Sequence, residues 1–234
     1  FLSALVNWSP QGMVKLAPAT ELDMHWSSVG HWQWLGADRE CKQLLGCFGF
    51  EPFLEPGRSS VAVAQRDGIE WDWWRPSPGV GNTVSRIRQP LTYLYEPHAA
   101  VFAARLNHQF AAERSWQHLA GGDYYTGNEL TEPIGELFAS FRVLDVLPFR
   151  IERIRDWLKQ HGRPLAEIKS RTVPEKDWRS LSGLLGNSLG LERTDGVSGL
   201  IFQQSKPEGL ALRVALCERL VCERLVKKTP LGPK

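Results

Sequence analysis

Apolar and polar positions repeat most regularly over residues 141–185. Val143, Asp145 and Leu147 alternate with Leu144 and Val146 in a run that stops at Pro148, which predicts a largely buried strand. Ile151, Ile154 and Trp157 or Leu158 then recur every three to four residues. Glu152, Arg153, Arg155, Asp156 and Lys159 take the opposite positions, so a helix is predicted up to the stop at Gly162 and Pro164. A second strand places Ala166, Ile168 and Ser170 on one face and Leu165, Glu167, Lys169 and Arg171 on the other. Pro174 opens a second helix whose Trp178, Leu181 and Leu184 or Leu185 again fall at helical spacing. Residues 198–204 and 210–216 read as a hairpin turning through Pro207 and Gly209, which completes a small sheet with two helices.

Upstream, residues 1–8 predict the end of a helix. Ser9, Pro10 and Gly12 turn into a short apolar strand over residues 13–17 that Pro18 ends. Helix, turn, buried strand and proline loop together match one late βα unit of a doubly wound parallel sheet. Trp32 and Trp34 share one side of a predicted strand, residues 39–48 fit a strand or a short helix equally, and Val61 and Val63 lie on one face of a strand over residues 60–65. A helix is expected from His98 to about Arg114, with Val101, Leu106 and Phe110 as its buried stripe, and a short strand over residues 123–126. This gives a division at residues 1–90, a connecting helical region at 91–140, a second domain at 141–220 and a tail at 221–234. The tail begins within a tandem CERLV pentapeptide at residues 217–226, whose period fits neither helix nor strand.

Composition sharpens this picture through charge. The net +2 conceals an asymmetry: residues 141–234 hold 18 Lys and Arg against 11 Asp and Glu, whereas residues 91–140 hold 2 against 6. A segregated positive field favours a polyanion over a neutral ligand. No apolar run approaches the roughly 18 to 20 residues that cross a bilayer, and the apolar start lacks a basic lead, so a cytoplasmic protein without membrane contact is expected. The spacing of Cys41, Cys47, Cys217 and Cys222 matches no zinc signature, and no metal site is expected.

Other candidate chemistry is sparse. His98, His108 and His118 lack the spacing of a metal pair and read as cap or surface residues. Trp71, Trp73 and Trp74 either stack nucleobases or make core contacts. Gly79 and Gly81 form a GxG that no strand feeds, which is a poor phosphate cradle. No catalytic acid, base or nucleophile emerges from spacing.

Four stretches in order carry a resemblance: GMVKLAPAT at residues 12–20, LYEPHAAVFAARL at 94–106, FRVLDVLPF at 141–149 and LAEIKSRTV at 165–173. The chain resembles the C-terminal portion of bacterial class I S-adenosylmethionine-dependent methyltransferases that carry a THUMP-like domain. The resemblance implies an α/β fold: a remnant of a class I methyltransferase, Rossmann-like sheet, followed by a small two-layer α/β THUMP-like domain. Ser170 and Thr172 stand where the family often has Lys and Gly. The family's cofactor, S-adenosylmethionine, is held by a glycine-rich turn after an early strand. No such turn lies between a strand and a helix here, so the chain is expected not to bind the cofactor alone, with only the loop near Lys15 to Pro18 close to such a pocket. The implied partner is structured RNA, tRNA among the candidates, through Arg150, Arg153, Lys159, Lys169, Arg171, Lys176 and Arg179. A non-catalytic RNA-binding module and a partial gene product remain the alternatives, with self-association through an exposed sheet edge.

Overall fold

The computed structural model describes residues 11–50, 59–65, 70–131, 135–178, 196–206 and 209–220. The expected first helix, most of the second helix after Pro174, Arg179 and the second CERLV copy lie outside the described residues. Two compact units form. One comprises Phe1–Thr83, Pro97–Arg114 and Pro133–Phe138, and the other Val84–Glu96, Ser115–Glu132 and Ala139–Lys234.

The first unit holds a five-stranded sheet of β1 (Gly12–Leu16), β2 (His31–Ala37), β3 (Glu40–Phe48), β4 (Ser59–Ala64) and β5 (Trp71–Trp74), in the order β1-β3-β2-β4-β5. The ambiguous residues 39–48 are strand. Asp38 and Arg39 both take positive φ, 51° and 67°, and form a two-residue turn that folds β3 back on β2. That hairpin inserts β3 between β1 and β2. The sheet therefore departs from the parallel arrangement expected around residues 13–17: β1 runs antiparallel to β3, and β2 with β4 is the parallel pair. One face carries Trp32, fully buried, whose indole N–H donates to the Trp26 carbonyl at 2.6 Å from α1 (Met24–Val29) and whose ring meets Phe48 edge-on. Gly46 leaves the space that the Trp32 ring fills.

The single helix expected from His98 to Arg114 is two. α2 (Ala99–Ala103) and α3 (Asn107–Ala112) are separated at Arg105, whose φ of 57° is left-handed and cannot continue a helix. His98 caps α2, its Nδ1 accepting from the Ala100 N–H at 3.1 Å, and Gly36 of β2 lies against that imidazole. Val101 and Phe110 are buried as the spacing required.

The second unit is built on an eight-stranded sheet. From one edge its strands are β11 (Leu165–Ser170), β12 (Val197–Lys206), β13 (Gly209–Leu220), β10 (Phe138–Pro148), β7 (Tyr93–Pro97), β9 (Tyr124–Gly127), β8 (Gln117–Leu119) and β6 (Arg86–Ile87). The β12–β13 hairpin forms as expected, and the expected small sheet continues through β10 into β7 and its neighbours. α4 (Ile151–His161) follows β10 and ends where Gly162 turns left-handed at φ 61°. Ile154 and Trp157 of α4 pack with Leu165, Ile168, Val197, Ile201 and Val214 to form a core. Phe141, Tyr124, Leu200 and Phe202 build a second one. Leu165 and Ile168 were expected on opposite faces of β11, yet both enter the first core. A register shift between Leu165 and Glu167 against β12 removes the strict alternation.

Candidate functional sites

The cations read from the sequence divide into two groups. Arg150, Arg153 and Lys159 are exposed, the first at the N-cap of α4 and the others on the helix, where Arg155 is exposed beside them. Their exposure follows from the helical period that buries Ile154 and Trp157. Glu152 and Asp156 interleave with these cations, so the face is basic only in balance. Lys176 is exposed in a 3-10 turn, Glu175–Asp177.

Lys169 and Arg171 are placed differently. Both reach Glu96 of β7: the Lys169 ammonium pairs with one carboxylate oxygen and Arg171 Nε donates to the other at 3.1 Å. Glu96 is 13% exposed, Lys169 21% and Arg171 25%, so the cluster is largely out of water. Burial alone would push the Glu96 carboxyl up, but the Lys169 ammonium and the Arg171 guanidinium hold it below its ordinary value. Lys169 also stands 4.8 Å from the centre of the Phe141 ring and 3.8 Å from Glu167, which in turn accepts from the Ser198 hydroxyl. This clamp ties β11 to β7 across the sheet. The Glu96 carboxylate is a partner that pattern reading missed, because it lies more than seventy residues from both cations.

A cavity of about 580 Å³ opens in the first unit. Its wall comes from residues 18–22 after β1, residues 102–105 after α2, and Ser27, Trp34, Cys41 and Ser59. Of the loop expected near a pocket, Pro18 is on the wall while Lys15 is exposed. Glu21 and Arg105 pair at 2.7 Å, both about four-fifths exposed. The Cys41 thiol is half-buried and faces the Leu35 carbonyl, and burial pushes it up despite the hydrogen bond with Gln43. Trp34 is 6% exposed, and among the described residues its indole N–H finds no acceptor.

Among the remaining candidates, Trp71 and Trp73 are exposed on the edge strand β5, whereas Trp74 packs edge-on against Phe110 and donates to Glu113 at 2.8 Å. Gly79 and Gly81 stand in open surroundings. Among the described residues no three His, Cys, Asp or Glu side chains gather as a metal would need, and no helix is long and apolar enough to cross a membrane.

Comparison of the sequence with family models and with characterised proteins gives no match. Comparison of the fold does: the crystal structure of a "putative methyltransferase" from Porphyromonas gingivalis W83 superposes with a TM-score of 0.65 over 92% of this chain, at 15% identity. The fold is thus α/β and shared with part of that protein. The chain spans 54% of that protein, about half its length.

Proposed function

We propose that this chain is the C-terminal portion of a class I S-adenosylmethionine-dependent methyltransferase acting on structured RNA, and that its own share of the work is to grip the RNA. The fold likeness supports the methyltransferase part of this reading, together with the four ordered sequence stretches. The observation that carries the RNA part is the exposed row Arg150, Arg153 and Lys159, presented by a strand, helix, strand unit resembling a THUMP-like domain. Recognition of folded RNA reads backbone and shape, which spaced cations on a rigid helix can supply. We assign phosphate contacts to these three and Lys176. Lys169 and Arg171 act by holding β11 in place. Methyl transfer needs an aligned nucleophile and a sulfonium-bound methyl group. We place the S-adenosylmethionine site outside the residues of this chain, because no glycine-rich turn joins a strand to a helix here.

The test is a gel shift of unmodified tRNA at about 50 mM salt, where counterion release favours binding most. The wild-type chain shifts it. Arg153→Glu with Lys159→Glu weakens binding at least about tenfold and flattens the logarithmic salt slope by roughly 2. A wild-type chain that leaves tRNA unshifted under those conditions sinks the RNA reading. Calorimetry with S-adenosylmethionine gives no stoichiometric heat, and one bound equivalent would overturn the placement of the cofactor.

A further inference from the structure

The two sheets leave four edge strands among the described residues, β1 and β5 in the first unit and β11 and β6 in the second. Proteins keep such edges from pairing with other chains by placing charges on them or by keeping them short. β1 carries the exposed Lys15, β11 carries Glu167 and Lys169, and β6 is two residues long with Arg86 exposed. β5 lacks these guards on its outer face. Trp71 and Trp73 share that face, 41% and 63% exposed, while Asp72 on the opposite face accepts from the Gln65 side chain and the Glu136 N–H.

The ladder with β4 settles where the backbone groups of β5 point. Val63 pairs with Asp72 and Ala62 with Trp73 in antiparallel register, and the Gln65 N–H donates to the Glu70 carbonyl at 2.8 Å at the hairpin end. Opposed residues in such a ladder alternate between hydrogen-bonded and non-hydrogen-bonded pairs. Glu70, Asp72 and Trp74 therefore bond to β4, and the N–H and C=O groups of Trp71 and Trp73 face away from it. The residues with exposed indoles are the ones whose main-chain groups face the open edge.

That edge is complementary to itself. Side chains share a face across an antiparallel pair only when an odd position opposes an odd one here. Centring the pair on Trp73 lets Trp73 exchange both main-chain hydrogen bonds with Trp73 of a second copy, and it sets Trp71 opposite Arg75 of that copy. Arg75 is exposed, and a guanidinium over an indole face is a favourable partner. Centring on Asp72 instead would oppose two carboxylates.

We propose that two copies of this chain pair antiparallel through β5, with Trp73 on the two-fold axis and each Trp71 beside Arg75 of the other copy. The pairing consumes the edge on both sides, so assembly closes at the dimer. The two indoles together expose about one whole indole, roughly 250 Å². This is well short of the about 800 Å² that each partner gives in a standard interface, so the dimer is weak and reversible.

The experiment is sedimentation of the whole chain from about 5 to 500 µM, a range that brackets weak association. Monomer and dimer alone should appear, with a dissociation constant on the order of 10–100 µM. Trp73→Lys sets two ammonium groups against each other at the axis and should raise that constant at least about tenfold. Its thermal transition should be kept, because the side chain it replaces is mostly exposed. Arg75→Glu alone should weaken pairing by about three- to fivefold. Adding Trp71→Arg to Arg75→Glu rebuilds an opposite-charge pair across the axis and should return the constant to within about twofold of wild type. A chain that stays monomeric at about 500 µM overturns the proposal, and that is the outcome if β5 instead takes an extended peptide of another protein. A dimer that Trp73→Lys leaves unchanged overturns it too, as does a double variant no better than Arg75→Glu. Nothing in the proposal draws on RNA binding, so a failed tRNA shift leaves it standing.

Discussion

Glu96→Gln should be the most damaging conservative change in the second unit. The substitution keeps the shape and one oxygen but removes the charge that faces both Lys169 and Arg171. At an effective dielectric of about 20, unit charges 3 to 4 Å apart attract by about 4 to 6 kcal/mol, most of it offset by desolvation. Breaking a buried pair from one side nonetheless costs about 3–5 kcal/mol, since the partner cations stay behind out of water. The two cations here are 21% and 25% exposed and Lys169 retains Glu167 at 3.8 Å, so the low end applies. We expect a loss of about 2–3 kcal/mol in urea unfolding followed by tryptophan fluorescence. The pH dependence carries its own sign. Glu96 titrates below its ordinary 4.5 in the folded chain. Its contribution is therefore complete above the unfolded value and disappears as pH falls through the lower folded value. The gap between wild type and Glu96→Gln should thus be widest near neutrality and narrow from about pH 4.5 downward. Lys169→Met added to Glu96→Gln should cost less than it does alone, because the two share one interaction. A gap below about 0.5 kcal/mol, the behaviour of an exposed pair, would refute the argument, as would a gap that is constant with pH.

Two further changes in the first unit have opposite signs. Arg39→Gly places glycine where φ is 67° and gives the β2–β3 turn the Asp-Gly pair that such turns favour, so stability should rise by about 0.5–1 kcal/mol and Tm by a few degrees. Gly36→Ala drives a methyl group into the His98 imidazole that caps α2, and calorimetry should show a loss of about 1–3 kcal/mol.

Elements with a strong local period were legible. α4, its glycine stop and the β12–β13 hairpin follow directly from apolar spacing and turn residues. The break at Arg105 was not, because alanine and leucine keep the helical pattern across residues 99–112 while the left-handed residue is an arginine, which announces no turn. The strand pairing of β3 was hidden for a related reason: Cys41, Leu44, Leu45 and Phe48 satisfy a helical period as well as a strand, and only the Asp38-Arg39 turn decides. Lys169 and Arg171 were visible as charges but not as a clamp, since Glu96 comes from a distant segment. The cavity is assembled from six separate places in the chain, and Trp34 on its wall reads in sequence as one more aromatic strand residue.

Three stretches build each compact unit, and they interleave along the polypeptide. No single cut in the gene separates the two units cleanly: a break at residue 83 strands 97–114 and 133–138 with the wrong partner, and one at 138 does the same to 84–96 and 115–132. A single recombination point can therefore pass on at most one unit intact, and always with fragments of the other attached to it.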